Sequence, residues 1–149
     1  VVREAQTLIS SGCREIILTG IETSAYQYDL PELLSRIDKI DGIERIRLSS
    51  LDPASMKPEF IDRIAALTHF APHFHVSLQS GCTRTLLAMR RRYTAETAYR
   101  NMEYIRTVIP RVQFSADIIT GFPGETEEDF LQTLAFVQQT RLLHAHIFT

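Results

Sequence analysis

Residues 115–130 read SADIITGFPGETEEDF. Ser115 to Thr120 carry the apolar run of a short buried strand, and Gly121-Phe-Pro-Gly124 is a tight turn. Thr126-x-x-Asp129 then has the spacing of a helix cap. A strand that passes through a short turn straight into a helix is half of a βαβ unit, which needs a parallel partner strand. The stretch also raises a question. Helix N-termini favour anions, yet this one carries Glu125, Glu127, Glu128 and Asp129.

The same alternation recurs on either side. VVREAQTLISS (1–11) puts Val1, Ala5, Leu8 and Ile9 on one helical face, and Gly12 ends it. EIILTG (15–20) reads as a strand. Asp29-Leu-Pro-Glu32 starts a helix with a stripe of Leu30, Leu33, Leu34, Ile37 and Ile40. IERIRLSS (43–50) is a second strand, and Pro58 opens a helix with Phe60, Ile61, Ile64 and Leu67 on one face. HFHVSLQS (73–80) is a third strand. Residues 83–109 form one or two helices, with a break at Tyr93-Thr94 and a stop at Pro110. VQFSADIIT (112–120) is the fourth strand; the helix after it has a stripe of Phe130, Leu131, Leu134 and Val137. HAHIFT (144–149) starts a fifth strand. Repeated α-β order predicts parallel strands with right-handed crossovers. Two architectures fit: a (β/α) barrel or an open doubly wound sheet.

The bulk composition narrows the class. Among 149 residues, 44% are hydrophobic and 23% charged, an ordinary globular balance. A net charge of -2 gives no global pull toward nucleic acid or membrane. No apolar run approaches the roughly 20 residues that span a bilayer, and no signal peptide opens the chain. Cys13 and Cys82 lie far apart, which suggests a reducing cytoplasm rather than a disulfide framework. The chain opens on Val1 inside a helical pattern and stops at Thr149 inside a strand pattern. The expectation is a piece of a longer protein.

Chemistry is expected where parallel strands end, because their C-terminal edges form one rim. Those ends are Thr19-Gly20, Ser49-Ser50, Gln79-Ser80 and Thr120-Gly121. In the third strand, Phe74, Val76 and Leu78 face one way, and His75, Ser77 and Gln79 the other. Central parallel strands are normally apolar on both faces, so the polar stripe predicts either a lined lumen or a solvated edge. His75 is expected to be a satisfied core histidine. Glu127, Glu128 and Asp129 are expected to complement the helix dipole, each worth about 0.3–1 kcal/mol. Glu125, before the cap, is free to point into the rim, which would then suit a cation better than a phosphate. Arg84, Arg90, Arg91, Arg92, Arg100, Arg106 and Arg111 share a segment with only Glu96 and Glu103. That stripe is either a solvated face or a contact for RNA phosphates. Cys13 is expected to pack behind its strand, with Cys82 at a helix start near the rim, where a thiol pKa is lowered.

EIILTGIETSAY (15–26), IERIRLSSLDP (43–53), HVSLQSGCTRTLLAMRRRYT (75–94) and SADIITGFPGETEEDF resemble the radical S-adenosylmethionine methylthiotransferases, over nearly the whole chain. RLSSLDP and the cysteine of LQSGC are most similar to the branch acting on threonylcarbamoyl-adenosine beside the tRNA anticodon. The resemblance implies a partial TIM-like (β/α) barrel, a radical SAM core without its first strand and Cys-x-x-x-Cys-x-x-Cys loop. Residues 1–149 would then be a core fragment, inactive alone, without the family's N-terminal methylthiotransferase domain and C-terminal RNA-binding domain. The implied cofactors are S-adenosylmethionine and a 4Fe-4S cluster whose ligands lie outside this chain; the implied partner is tRNA. The implied chemistry is reductive cleavage of S-adenosylmethionine, then installation of sulfur and methyl at carbon 2 of the adenosine.

Roles also follow from the resemblance. Gly20, Ile21 and Glu22 match the segment meeting the ligand's ammonium group, with Thr19 counted among the cofactor-binding residues just before them. Ser49, Ser50, Gln79 and Ser80 match positions around methionine and ribose, and Arg91 matches a partner for the ligand carboxylate. Ile119, Gly121 and Pro123 match the adenine side, with Asp117 and Glu125 on the same strand and turn. No catalytic or metal-ligating residue is assigned. The competing readings are a family member acting on a ribosomal protein, a non-radical phosphate-sugar barrel, and an RNA-binding module using the arginine segment. An isolated fragment is expected to self-associate through its open sheet edge.

Overall fold

The computed structural model describes residues 1–20 and 26–149. In chain order the elements are α1 (Val2–Ser10), β1 (Glu15–Leu18), α2 (Leu30–Asp38), β2 (Arg45–Leu48) and a 3-10 turn (Pro53–Ser55). They continue with α3 (Pro58–Ala65), β3 (His73–Gln79), α4 (Thr83–Ala88), α5 (Ala95–Val108), β4 (Gln113–Ile119), α6 (Glu127–Thr140) and β5 (His144–Phe148). Side chains set several helix starts. Asp29, Thr94 and Thr126 each accept the backbone N–H three residues on, and Pro58 occupies the first turn of α3. Residues 83–109 form two helices, parted around Tyr93-Thr94.

Every strand pair among the described residues is parallel. Glu15 to Leu18 of β1 pair with Arg45 to Leu48 of β2, and β3, β4 and β5 form a ladder in that order. Two bridges, Ile46 with Phe70 and Leu51 with Val76, join β2 to the β3 side. Four backbone hydrogen bonds of 2.8–2.9 Å close that seam. Spatial order therefore follows chain order, β1 to β5. A doubly wound sheet reverses direction at a switch point; this one does not. With right-handed crossovers that all advance the same way, the helices fall on one face. Among the described residues β1 and β5 are edges and no closed barrel forms, so the architecture is a partial TIM-like arc.

Alternation assigns the two faces. Ile16, Ile46, Leu48, Phe74, Val76, Leu78, Phe114, Ala116 and Ile118 join Leu34, Ile37, Ile61, Ile64, Met102 and Ile105 in one buried cluster. Each large side chain buried there stabilises the fold by about 1.5–3 kcal/mol. The opposite, concave face carries Glu15, Arg45, Arg47, His73, His75, Ser115 and Asp117.

Three sequence expectations are corrected. On α6, Phe130, Leu131 and Leu134 are 37%, 52% and 43% exposed; the buried residues are Asp129, Thr133, Phe136 and Thr140. Asp129 accepts the Cys82 thiol and Thr133 Oγ1 accepts the Gly81 amide, and these bonds to the turn after β3 fix that rotation. On α1, Ala5 and Ile9 are buried, whereas Val1 and Leu8 are exposed. Cys13, in the turn before β1, is exposed rather than packed behind the strand.

Candidate functional site

Parallel pairing brings the strands' C-terminal ends together. The Ser49 amide donates to Leu18 O at 2.9 Å, and the Thr120 amide donates to Phe148 O at 2.8 Å. Thr19 and Gly20 are exposed, Ser49 and Ser50 half-buried; Ile21 and Glu22 lie outside the described residues. Ser49 Oγ is buried and has no hydrogen-bond partner among the described residues. Gly121 and Gly124 have φ of 73° and 86°, conformations that glycine adopts without strain. Added side-chain carbon at Gly121 would meet nothing within 4 Å, so the turn borders open space.

The end of β3 is irregular. Its register against β4 shifts between Val76 and Gln79, and Gln79 has φ of 64°. Tyr93 holds that distortion: its hydroxyl donates to both Ser77 O and Leu78 O at 2.9 Å. Burial, reinforced by the charge of Asp52, pushes the Tyr93 phenol well above its ordinary pKa, so it works as a fixed donor. The Gln79 side chain has no hydrogen-bond partner among the described residues. Left-handed backbone at a non-glycine residue is a feature that concentrates at ligand clamps.

Ser80 and Gly81 hold the turn. Ser80 is fully buried; its Oγ lies 2.9 Å from Thr133 Oγ1 and accepts the Cys82 amide at 3.0 Å. Its hydroxyl is engaged within the chain. A Cβ on Gly81 would stand 2.4 Å from Phe136 Cβ, so only glycine lets this turn approach α6. The carboxylates of the opening stretch now separate into roles. Asp129 is buried; it completes the capping box with Thr126 and pairs with Arg84 through Nε at 2.8 Å and through Nη2. That guanidinium first, and Thr126 second, hold its carboxyl well below the usual range. Asp129 therefore clamps α4 to α6, a role beyond the expected dipole effect. Cys82 is 1% exposed, and its thiol donates to Asp129 Oδ1 at 3.2 Å, which seals it off. Glu125 Oε2 accepts the Gly121 amide at 2.5 Å, while its Oε1 is buried without a partner among the described residues.

Below the rim, the concave face holds a hydrogen-bonded chain that alternation alone did not reveal. His75 Nε2 lies 3.1 Å from Asp117 Oδ2, His75 Nδ1 lies 2.8 Å from Ser115 Oγ, and Ser115 Oγ lies 3.1 Å from His73 Nε2. The Ser115 hydroxyl thus stands between the two imidazoles, with the Asp117 carboxylate beside the far nitrogen of His75. Burial, then Arg47 and His75, lower the pKa of His73. His146 Nδ1 stands 3.9 Å from the other oxygen of Asp117. Glu15 joins Arg45 and Arg47 at 2.8 and 2.6 Å on the same face. Arg91 reaches Asp52 only loosely, at 3.8 Å.

Among the described residues no three His, Cys, Asp or Glu side chains are arranged to hold a metal. The chain has two cysteines, one exposed and one sealed, so it does not supply the ligands of a 4Fe-4S cluster. The rim does fit a polar nucleoside-like ligand: Ser49 Oγ, the Gln79 carboxamide and Glu125 Oε1, at the ends of β2 and β3 and in the turn after β4, have no hydrogen-bond partner among the described residues. Thr19, Gly20, Ser49, Ser50, Gln79, Ile119, Gly121, Pro123 and Glu125 share this end of the sheet. Asp117 sits lower, in the cup.

Residues 1–137 match the family model described as the Radical SAM superfamily. Over 99% of its length the chain is 39% identical to a tRNA-2-methylthio-N(6)-dimethylallyladenosine synthase of Desulfitobacterium hafniense. Over the same share it is 35% identical to the threonylcarbamoyladenosine tRNA methylthiotransferase MtaB of Bacillus subtilis and 40% identical to that of Aquifex aeolicus. The chain spans about a third of these relatives, covering 34%, 34% and 37% of their lengths. Among solved structures, coproporphyrinogen III oxidase (HemN) from Escherichia coli superposes with a TM-score of 0.73 at 16% identity. That match covers 99% of this chain and 36% of that one; it speaks to the fold. On the match to residues 1–137, the chain belongs to the Radical SAM superfamily, whose enzymes use S-adenosylmethionine with a 4Fe-4S cluster.

Proposed function

We propose that this chain is the S-adenosylmethionine-binding core of a methylthiotransferase that modifies carbon 2 of a hypermodified adenosine beside a tRNA anticodon. The observation carrying this reading is identity of 35–40% across 99% of the chain to enzymes of that printed function. The rim supports it with unpartnered hydrogen-bonding groups and backbone held ready to receive a ligand.

Each residue has a physical task in this reading. Thr19 and Gly20, with Ile21 and Glu22 beyond them, meet the ammonium group. Ser49 and Ser50 with Gln79 bind methionine and ribose polar atoms, and Arg91, loosely held by Asp52, takes the carboxylate. Ile119 and the Gly121–Pro123 turn cover the adenine, and Asp117 lies deeper in the cup. Ser80 contributes by fixing the turn, and Glu125 by setting the Gly121 amide, its buried Oε1 left without a partner among the described residues. When bound, S-adenosylmethionine supplies an adenosyl group for radical chemistry and a methyl group for transfer. The protein orients it and excludes water. Iron-sulfur ligands come from outside this chain, and the chain alone is inactive. No helix among the described residues is long and apolar enough to cross a membrane, and a cytoplasmic location goes with a tRNA substrate.

LQSGC and RLSSLDP favour threonylcarbamoyladenosine as the modified base, although relatives of both branches have comparable identity. The test is anaerobic reconstitution of the full-length protein with tRNA carrying either threonylcarbamoyl- or dimethylallyl-adenosine, read by nucleoside mass. The expected result is methylthio addition to the first. Modification of the second alone would overturn the branch. Cleavage of S-adenosylmethionine with neither tRNA modified would overturn tRNA as substrate and turn attention to a ribosomal protein.

A further inference from the structure

Cationic side chains collect in the turn between α4 and α5. Most arginines elsewhere on the surface are already used: Arg14 pairs with Glu44, Arg63 with Asp29, Arg84 with Asp129 and Arg106 with Glu103. Arg90 and Arg92 carry no such pair, as is also true of Arg3, Arg100, Arg111 and Arg141 among the described residues; what sets the two apart is their place beside the strand ends. Both are exposed, and neither guanidinium has a carboxylate or hydrogen-bond partner among the described residues. Both guanidinium groups are therefore open to an anionic partner, on a chain whose overall charge is -2.

The turn that displays them is held firmly. The amides of Met89, Arg90 and Arg91 donate to Thr85 O, Leu87 O and Leu86 O, each at 2.9 Å. Arg90 sits at φ of 58°, a conformation that a side-chain-bearing residue pays to adopt. Tyr93 anchors one end through the carbonyls at the top of β3, and Arg91 faces Asp52 beyond β2. These contacts tie the turn beside the C-terminal ends of β2 and β3.

We propose that Arg90 and Arg92 form a phosphate-contacting surface for RNA at the lip of the site. The inference deepens the tRNA-modifying reading and rests on it for the direction of approach. A base turned into the cup leaves its flanking phosphates at the lip, where two free guanidinium forks match their oxygens. An acidic protein offers similar charge but has no reason to lie over the mouth of a nucleoside pocket.

The experiment uses the full-length protein, wild type and the double variant Arg90→Gln/Arg92→Gln, which spares Arg91. Affinity for an anticodon stem-loop RNA is measured across a salt series. Loss of two phosphate contacts should shrink the slope of log K against log salt by about 1.4–1.8. The loss should be equal for a scrambled loop, because phosphates carry no sequence. Cleavage of S-adenosylmethionine without RNA should be unchanged. A slope equal to the wild type's would overturn the proposal. So would unchanged RNA binding with lost binding of polyglutamate, which would assign the surface to an acidic protein. If wild-type protein methylthiolates tRNA while the slopes coincide, this inference alone falls. If it binds RNA without methylthiolating, the functional reading falls and the slopes still decide this one. Absence of any wild-type RNA binding would remove both.

Discussion

Tyr93 acts on the site from 15 residues away. Its one hydroxyl serves two carbonyls beside the register break in β3, one of which, Leu78 O, also accepts the Ser80 amide at 2.8 Å. Tyr93→Phe keeps the ring and removes the hydroxyl shared by the two carbonyls, so it should cost about 1–3 kcal/mol. Urea unfolding should show that loss, with faster amide exchange around Gln79; unchanged stability would remove Tyr93 from this role. His73 offers a second residue-scale test. Its pKa is lowered, so at mildly acidic pH the unfolded chain takes up the proton before the folded one does. The His73 contribution is intact above about pH 6.5 and drains as pH falls from there through the folded value. Arg47→Ala removes a charge that opposes protonation, and NMR titration should show the His73 pKa rising. A fall on that substitution would contradict the electrostatic assignment.

At the scale of elements, the α4–α6 clamp sets the shape of the rim. Asp129 keeps its charge to lower pH in the folded chain than in the unfolded one, chiefly because Arg84 binds it. Stability from this pair is present above about pH 3.9 and is lost as pH falls below that toward the folded value. Arg84→Met should therefore move the acid-unfolding midpoint to higher pH, followed by circular dichroism; superimposable acid titrations would show the clamp to be inert. The cap at Thr126 and Asp129 was legible in the sequence because it is local, spanning three residues. Arg84 was not, since it lies 45 residues away and nothing in its neighbours marks it. The α6 stripe misled for a related reason. Phe130, Leu131 and Leu134 have the right period, but buried polar contacts from Asp129 and Thr133 turn that face outward. Strand alternation read more truly: Phe74, Val76 and Leu78 are buried and His75 faces the cup, although its link to Ser115 and Asp117 depends on β4 standing beside it. Barrel and doubly wound sheet could not be separated by alternation, because both share it; the spatial order of strands separates them.

For the whole molecule, two sheet edges and an apolar flank remain. β1 and β5 each have one neighbour among the described residues, and Ile17, Ile147 and Phe148 are 55%, 56% and 53% exposed. Unpaired edges bearing apolar side chains template association, so two copies of the isolated chain should pair there. Sedimentation equilibrium should report concentration-dependent dimers, weakened by Ile147→Lys. A monodisperse monomer up to about millimolar concentration, a range where weak association would register, would contradict this. The account as a whole turns on one surface, the C-terminal rim, being where S-adenosylmethionine binds. Hydrogen exchange on the reconstituted full-length protein, with and without S-adenosylmethionine, tests it most directly. Protection should appear at residues 49–52, 79–82 and 119–124. Protection confined to the helical face, with those three segments unchanged, would contradict it.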